Sequence, residues 1–210
     1  MISLAYITKN EEKYIERSIK SARSIADEII VLDAFSEDNT ITICKNLDAK
    51  IHQEEWKDDF SYSRNKLISM CNEDWILMLD ADEHLEGENL DLIKHAISNS
   101  LINNIVGWQL PRKNHYPSHD HDSPYYDYPF FPDLQLRLFK KDPKIFFTGK
   151  VHEGVQQAIE VGNVGEIGRV SVFIHHHMFR GDKDIFESKK EEYYKKIQEG
   201  EKNEQKLETC

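Results

Sequence analysis

The sequence predicts an α/β fold with a central, mostly parallel sheet flanked by helices. Short apolar runs alternate with helical patterns four times in the first half of the chain, and this alternation is typical of parallel strands joined by covering helices. Acidic residues directly follow two of the apolar runs, at Asp33 and Asp80. Because ligands of open α/β sheets bind beyond the carboxyl ends of the strands, these acids indicate a site at one edge of the sheet.

The first half of the chain supplies most of this predicted sheet. Its strands are recognised as short apolar runs bounded by polar residues, and its helices by apolar residues at helical spacing. Asn10 is the predicted N-cap of the first helix, and turn-forming residues at 36–40 precede the second. In order, the predicted elements are a strand at 2–7, a helix at 14–25, a strand at 28–32, a helix at 41–47, a strand at 49–52, a helix at 60–71 and a strand at 75–79.

The second half has a different character. Residues 111–132 are rich in Pro, His, Asp and Tyr without a regular period, which predicts a long functional loop. We expect one catalytic domain at 1–180, followed by a charged helix and tail at 181–210. The predicted elements of this half are a helix at 89–101, strands at 105–110, 134–139, 145–148 and 170–176, and a final helix at 184–199.

Composition and charge exclude several classes of function. The 210-residue chain carries a formal net charge of −11, which repels phosphate backbones, so we expect no nucleic-acid partner. A polyanionic cofactor would need a metal ion or local cations. The cysteines Cys44, Cys71 and Cys210 are too far apart for a zinc site or a disulfide framework. With no transmembrane-length apolar run and no signal-peptide pattern, the expected location is the cytoplasm.

The segment Asp80-Ala81-Asp82 is the strongest local motif, because it follows an apolar strand. Two carboxylates at this spacing can hold a hard divalent cation and leave positions open for phosphate oxygens. A diphosphate leaving group needs such a cation to offset its developing charge. An isolated Asp-x-Asp equally describes an ordinary acidic turn, but the strand before it and the companion residues favour a metal site, with Asp82 as a ligand.

Other candidate ligands follow the first two strands. Asp33 ends the second strand, where its carboxylate could accept the N–H of a pyrimidine base or a ribose hydroxyl. Thr8, Asn10 and Glu11 end the first strand and face the same crevice. The polar residues at 36–40 are either further ligands or caps of the next helix.

Three further candidates lie outside these strands. Arg64 is a planar cation that could orient the acidic cluster or contact a phosphate, although surface arginines are common. Glu153, next to a histidine, is a candidate general base; such a carboxylate is otherwise exposed or salt-bridged. Strand alternation places His176 on the face opposite the other two histidines of the run 175–177, and one of the three is a candidate nitrogen ligand for the metal.

Together these residues resemble the ordered motifs of family 2 glycosyltransferases, over about residues 1–180. Each motif is modest alone, and their order makes the set specific. The nearest branches are the lipopolysaccharide-core-type glucosyltransferases and the sublancin-type bacteriocin peptide S-glycosyltransferases. The matching segments are 2–12, 30–40, 59–66, 75–83, 149–153 and 175–177.

This resemblance implies a GT-A (Rossmann-like) fold and an inverting transfer from a UDP-sugar with Mn²⁺ or Mg²⁺. Carried over by position, Asp33 would meet the uracil or ribose, and Asp80 the ribose or diphosphate. Asp82 would be the main metal carboxylate, His176 a metal or diphosphate contact, and Glu153 the base.

The acceptor and the class of reaction keep alternatives at this stage. A glycan hydroxyl of a cell-envelope polysaccharide or a lipid-linked glycan is the first expectation, with work at the membrane surface in the second case. A peptide acceptor is the alternative, although the peptide-modifying branch carries a helical-repeat extension. A nucleotidyltransferase would need a glycine-rich first loop, and residues 8–12 contain no glycine. A non-catalytic protein would bind a nucleotide-sugar without transferring it.

Overall fold

The structure is a computed structural model that describes residues 1–115, 132–150 and 153–177, together with Lys195. Within these ranges, nine strands form one sheet, and five α-helices accompany it. The strands are β1 (Ile2–Thr8), β2 (Glu28–Asp33), β3 (Lys50–Gln53), β4 (Trp75–Met78), β5 (Glu83–Leu85), β6 (Ile105–His115), β7 (Asp133–Lys140), β8 (Glu166–Arg169) and β9 (Ile174–His177). The helices are α1 (Ile15–Ala22), α2 (Thr40–Asn46), α3 (Phe60–Met70), α4 (Asp91–Asn103) and α5 (Gln156–Gly162).

The sheet has the order β3-β2-β1-β4-β7-β6-β9-β5, and β8 also pairs with β6. The first four strands of this order run parallel to one another. β7 runs antiparallel to its neighbours β4 and β6, whereas β8 and β9 run parallel to β6. The predicted α/β class, with a mostly parallel sheet flanked by helices, is therefore confirmed.

Apolar residues on both faces of the central strands hold the helices in place. The side chains of Leu4 and Tyr6 in β1 are fully buried in the same cluster as Ile15 and Ile19 of α1. Leu67 of α3 belongs to a second buried cluster that contains the alternate residues of the strands. Each such side chain stabilises the fold by roughly 1.5–3 kcal/mol through burial. No helix in the described parts of the chain is long and apolar enough to cross a membrane.

The parallel strands bring their polar ends to a single edge of the sheet. Thr8, the last residue of β1, pairs with Asp33, the last residue of β2. Ala5 of β1 pairs with Met78, the last residue of β4, so Asp80 follows at the same edge. The sequence placed Asp33 and Asp80 at a common edge, and the register confirms it.

The second half departs from its prediction in several places, and α5 and β8 have no predicted counterpart. The predicted loop at 111–132 begins too early, because β6 continues to His115 and pairs there with both β7 and β9. The predicted strand at 145–148 is absent; Thr148 forms only an isolated bridge with Gly154. The predicted strand at 170–176 is shorter, since pairing begins at Ile174. Most of the predicted loop and the final helix at 184–199 lie outside the described residues, apart from Lys195.

Acid should weaken this fold through Glu28, which is 9% exposed at the start of β2. Burial alone would raise the pKa of Glu28, but hydrogen bonds from Ser3 and Asn72 lower it to about 2. A lowered carboxyl pKa stabilises the folded state above the unfolded pKa and loses that effect as the pH falls toward 2. We predict that Glu28→Gln lowers the free energy of unfolding by about 3 kcal/mol at pH 7, measured by urea denaturation.

The control for Glu28 is Glu16→Gln, which removes a carboxylate that pairs with Lys20 on the exposed face of α1. This variant should lose no more than about 0.5 kcal/mol. The stability difference between the wild type and Glu28→Gln should also narrow between pH 5 and pH 3. A difference that stays constant over this range would contradict the electrostatic explanation.

Candidate active site

Asp33 anchors the polar edge at the ends of β1 and β2. Its carboxylate is completely buried. One oxygen accepts hydrogen bonds from Thr8 Oγ1 at 3.0 Å and Ser36 Oγ at 2.5 Å. The other accepts from the Ser36 amide at 2.8 Å and from Gln53 Nε2 at 3.3 Å. These four donors fix the Asp33 carboxylate and the loop after β2.

Asn10 and Glu11 join the loop after β1 to the loop after β2. Asn10 adopts a left-handed backbone conformation with φ of 56°. The backbone N–H of Asn10 donates to Ser36 Oγ at 2.9 Å, and its side-chain Oδ1 accepts from the backbone N–H of Glu37 at 2.8 Å. The predicted N-cap role of Asn10 is wrong, because α1 begins only at Ile15. The Glu11 amide donates to the threonine hydroxyl at the start of α2 at 2.7 Å, so both residues shape the crevice edge.

Arg64 of α3 joins two of the predicted site carboxylates. This arginine is 4% exposed. Its Nη2 donates to Asp80 Oδ1 at 2.8 Å, and its Nε donates to Glu153 Oε1 at 2.7 Å. Burial opposes ionisation of Asp80, but the guanidinium groups of Arg137 and Arg64 outweigh it and hold the pKa of this carboxyl well below its usual range. Asp80 is therefore a carboxylate at neutral pH.

The start of α3 positions the segment that carries Glu153. Asp59 caps this helix, since its Oδ1 accepts from the Tyr62 amide at 2.8 Å. One turn later, Asn65 exchanges two hydrogen bonds with the backbone of Phe147, at 2.8 and 2.9 Å. Gly149 follows with φ of 88°, a left-handed conformation that favours glycine. These contacts bring residues far apart in sequence to one place beside Arg64.

Three charged residues that the sequence reasoning missed complete this region. Arg137 lies in the middle of β7 and is 8% exposed. Its Nη2 donates to Asp80 Oδ2 at 2.5 Å and to Glu83 Oε1 at 2.7 Å. Arg112 of β6 also donates to Glu83 Oε1, at 3.1 Å. A signal was present, because an arginine among the apolar residues of a predicted strand at 134–139 requires a buried partner.

Asp82 and His176 form the candidate metal pair, with His176 Nε2 3.7 Å from Asp82 Oδ2. His176 Nδ1 lies 2.8 Å from Asn114 Oδ1, and the Asn114 amide nitrogen donates to Asp133 at 3.3 Å. The asparagine oxygen therefore accepts from Nδ1, which leaves the Nε2 lone pair available to a cation, as in many histidine metal sites. Ala81, between the two aspartates, is 5% exposed in the core, so only its backbone is available to a ligand.

This donor set fits a hard divalent cation in an open site. One carboxylate and one imidazole leave most coordination positions for diphosphate oxygens or water. Across residues 1–115, 132–150 and 153–177, no group of three or more histidine, cysteine or acidic side chains is arranged to hold a metal by itself. Asp80 is less suited to direct coordination than Asp82, since each of its oxygens already accepts from an arginine.

The other histidines of the run at 175–177 lie on the opposite face of β9, as the alternation predicts. His175 and His177 stack with His84 and His115 at ring-centroid distances of 4.9–5.1 Å. Arg17 of α1 contacts His84 Nε2 at 2.7 Å. Burial, with the cationic neighbours, lowers the pKa of His84 to about 3 and those of His175 and His177 to about 4. These three rings are neutral at pH 7, and His175 and His177 lie on the face of β9 opposite His176.

Comparison with known proteins identifies the family to which the chain belongs. Residues 3–154, which include every strand-end carboxylate described above, match the family model described as glycosyl transferase family 2. The chain belongs to glycosyl transferase family 2. It is therefore a family 2 glycosyltransferase, as its motifs predict.

Two relatives illustrate the sequence likeness. The SPbeta prophage-derived glycosyltransferase SunS of Bacillus subtilis is 34% identical over 157 residues, covering 72% of this chain and 34% of SunS. An uncharacterized glycosyltransferase of Rickettsia bellii is 39% identical over 111 residues, covering 52% of this chain and 37% of the relative. The chain thus spans about a third of the length of these relatives.

Solved structures confirm the predicted GT-A fold. S. aureus TarS 1-349 in complex with UDP-GlcNAc superposes with a TM-score of 0.61 at 18% identity, covering 86% of this chain and 59% of that chain. Glucosyl-3-phosphoglycerate synthase from Mycobacterium tuberculosis, in complex with phosphoglyceric acid, gives 0.62 at 15% identity, covering 88% and 74%. At these identities the likeness concerns the fold alone.

Proposed function

We propose that this family 2 glycosyltransferase transfers a hexose from a UDP-sugar to an acceptor nucleophile, with inversion and with a divalent cation, Mn²⁺ or Mg²⁺. The observation that carries the proposal is the bridge of Arg64 between Glu153 and Asp80, at 2.7 and 2.8 Å. This bridge holds Glu153, the candidate base, beside Asp80, the carboxylate proposed to contact the sugar donor. A general base that deprotonates the acceptor must lie next to the bound sugar donor. The arrangement therefore suits direct transfer of the sugar to the acceptor.

The donor would lie along the carboxyl edge of the parallel strands. The nucleoside would be bound at the ends of β1 and β2, by the group Thr8, Asn10, Glu11 and Asp33. Asp80 would meet the ribose or diphosphate. Asp82 and His176 would hold the cation, which supplies positive charge to the departing diphosphate. The presence of UDP-GlcNAc in the TarS complex supports a uridine nucleotide for a protein of this fold.

The proposed reaction needs one proton transfer and one displacement. Glu153 accepts the proton of an acceptor hydroxyl or thiol, and the resulting nucleophile forms a bond to the anomeric carbon. The bond from that carbon to the diphosphate oxygen breaks at the same time, and UDP leaves with the electron pair. Attack from the side opposite the diphosphate inverts the anomeric configuration.

The acceptor that we propose is a glycan hydroxyl of a cell-envelope polysaccharide or of a lipid-linked glycan. Catalysis by residues 1–180 would then occur in the cytoplasm, at the inner face of the membrane for a lipid-linked acceptor. A peptide side chain is the alternative, which the resemblance of the motifs to the sublancin-type branch implies. The mass of the product would distinguish a glycan acceptor from a peptide acceptor. Release of UDP rather than pyrophosphate would distinguish glycosyl transfer from nucleotidyl transfer.

The first test of the proposal is a thermal-shift panel of UDP, GDP, CDP and TDP, each with and without Mn²⁺. A ligand at a hundredfold excess over its Kd stabilises the fold by about 2.7 kcal/mol, which raises the Tm of a domain of this size by about 5–10 °C. We expect that rise for UDP with Mn²⁺ and a much smaller one for UDP with EDTA. No shift with any nucleotide would overturn the proposed donor site.

A further inference from the structure

Seven charged side chains form one continuous chain of ion pairs across the sheet. Acids and arginines alternate along it, and every contact between them is between 2.5 and 3.1 Å. This series of ion pairs links the candidate base at one end to β6 and β7 at the other. In order, its members are Glu153, Arg64, Asp80, Arg137, Glu83, Arg112 and Asp133.

Arg137 occupies the centre of this chain of ion pairs. A single atom, Nη2, donates both to Asp80 Oδ2 and to Glu83 Oε1. Glu83 is completely buried, so without a cation between them the two carboxylates would repel each other in a poorly screened environment. Arg137 Nε is buried without a hydrogen-bond partner among the described residues. The Arg137 guanidinium therefore joins these two acids, although this position leaves one of its N–H donors without a hydrogen bond.

The two acids that Arg137 joins also close the turn that carries the metal candidate. The Asp80 amide donates to Glu83 Oε2 at 3.1 Å, and the Glu83 amide donates to the Asp80 carbonyl at 2.9 Å. Asp82 lies inside this turn, and its carbonyl accepts from the His177 amide at 3.0 Å. The turn is thus closed by its backbone and by the side chains that meet at Arg137.

We propose that Arg137 is a positioning residue for the nucleotide-sugar site: it fixes the Asp80 carboxylate and, through Glu83, the turn that presents Asp82 to the metal. This inference rests on the proposed function, because it assumes that Asp80 and Asp82 serve the donor and its cation. In this proposal Arg137 acts through its contacts with Asp80 and Glu83. Removing it would leave Asp80 bound only by Arg64, so the carboxylate would turn away from the orientation that the donor requires.

The test compares Arg137→Met with Arg169→Met, which removes an exposed arginine at the end of β8. Isothermal titration with UDP and Mn²⁺ should show binding at least about tenfold weaker for Arg137→Met and within about threefold of the wild type for Arg169→Met. Arg137→Lys should recover most of the affinity, because one ammonium nitrogen can also bridge two carboxylates.

Loss of a buried arginine can also prevent folding, so the double variant Arg137→Met/Glu83→Gln is measured alongside. It removes the repulsion but leaves Asp80 without its second partner, and weak UDP–Mn²⁺ binding by this folded variant supports the proposal. Wild-type affinity in Arg137→Met or in the double variant overturns it, as does an equal loss in Arg169→Met. A wild-type protein that binds no UDP with Mn²⁺ overturns the proposed function as well, which separates the two failures.

Discussion

Replacing Glu153 with glutamine should slow glycosyl transfer about a thousandfold while leaving donor binding in place. A general base contributes roughly 10²–10⁴ to the rate, and glutamine cannot accept the proton. The amide oxygen of glutamine can still accept the hydrogen bond that Arg64 Nε donates to Glu153 at 2.7 Å, so the local structure should persist. The measurement is UDP release from UDP-glucose under single-turnover conditions, with water as the acceptor until a better one is found, and UDP–Mn²⁺ affinity in parallel.

A matched control for Glu153 is available on α5, the next helix. Glu160→Gln removes an exposed carboxylate that accepts a hydrogen bond from Gln156 on the same helix, and it should leave the rate within about twofold of the wild type. Glu153→Asp keeps the acid but withdraws it by one methylene, so an intermediate rate is expected. If Glu153→Gln turns over as fast as Glu160→Gln, Glu153 is not the base.

The parallel half of the fold could be predicted because its signals are local. Buried parallel strands are read as continuous apolar runs, and each run stops where the chain reaches the polar edge. Asp33 and Asp80 were found for this reason, and the register of β1 with β2 and β4 places them together. The bridge by Arg64 was proposed only as one alternative, because a side-chain direction on a helix cannot be read from spacing alone.

The other half depends on pairings between distant segments, which no local pattern specifies. Arg137 lies 57 residues from Asp80 and 54 from Glu83 along the chain, so its partners could not be identified from sequence. Pro111 suggested the start of a loop, yet β6 passes through it and pairs with β7. β5 has only three residues, too few to show a period, and it begins directly after the acidic motif Asp80-Ala81-Asp82.

The arginine contacts distinguish the two aspartates of the acidic motif. Both oxygens of Asp80 accept from arginines, at 2.8 Å from Arg64 and 2.5 Å from Arg137. A cation beside Asp80 would therefore meet two guanidinium charges, which repel it. Asp82 instead lies 3.7 Å from the Nε2 atom of His176. The geometry thus favours Asp82 as the carboxylate on which metal binding depends.

Asp82→Asn should consequently remove the metal dependence of donor binding and lower transfer about a thousandfold at submillimolar Mn²⁺. An asparagine oxygen is a weaker and uncharged ligand, and a cation that stabilises a leaving diphosphate contributes several kcal/mol to the transition state. The measurement is UDP release from UDP-glucose over a Mn²⁺ titration. The wild type should saturate with metal, whereas Asp82→Asn should need far more Mn²⁺ or fail to saturate.

Asp74→Asn is the matched control for Asp82, because Asp74 is an exposed aspartate just before β4, at the opposite end of the same strand. Its Mn²⁺ titration should coincide with that of the wild type. If Asp82→Asn also coincides, the Asp82 carboxylate is not a metal ligand, and other groups must hold the cation. If Asp82→Asn binds UDP equally well with Mn²⁺ and with EDTA, while the wild type prefers Mn²⁺, the turn between Asp80 and Glu83 acts through the metal that Asp82 holds.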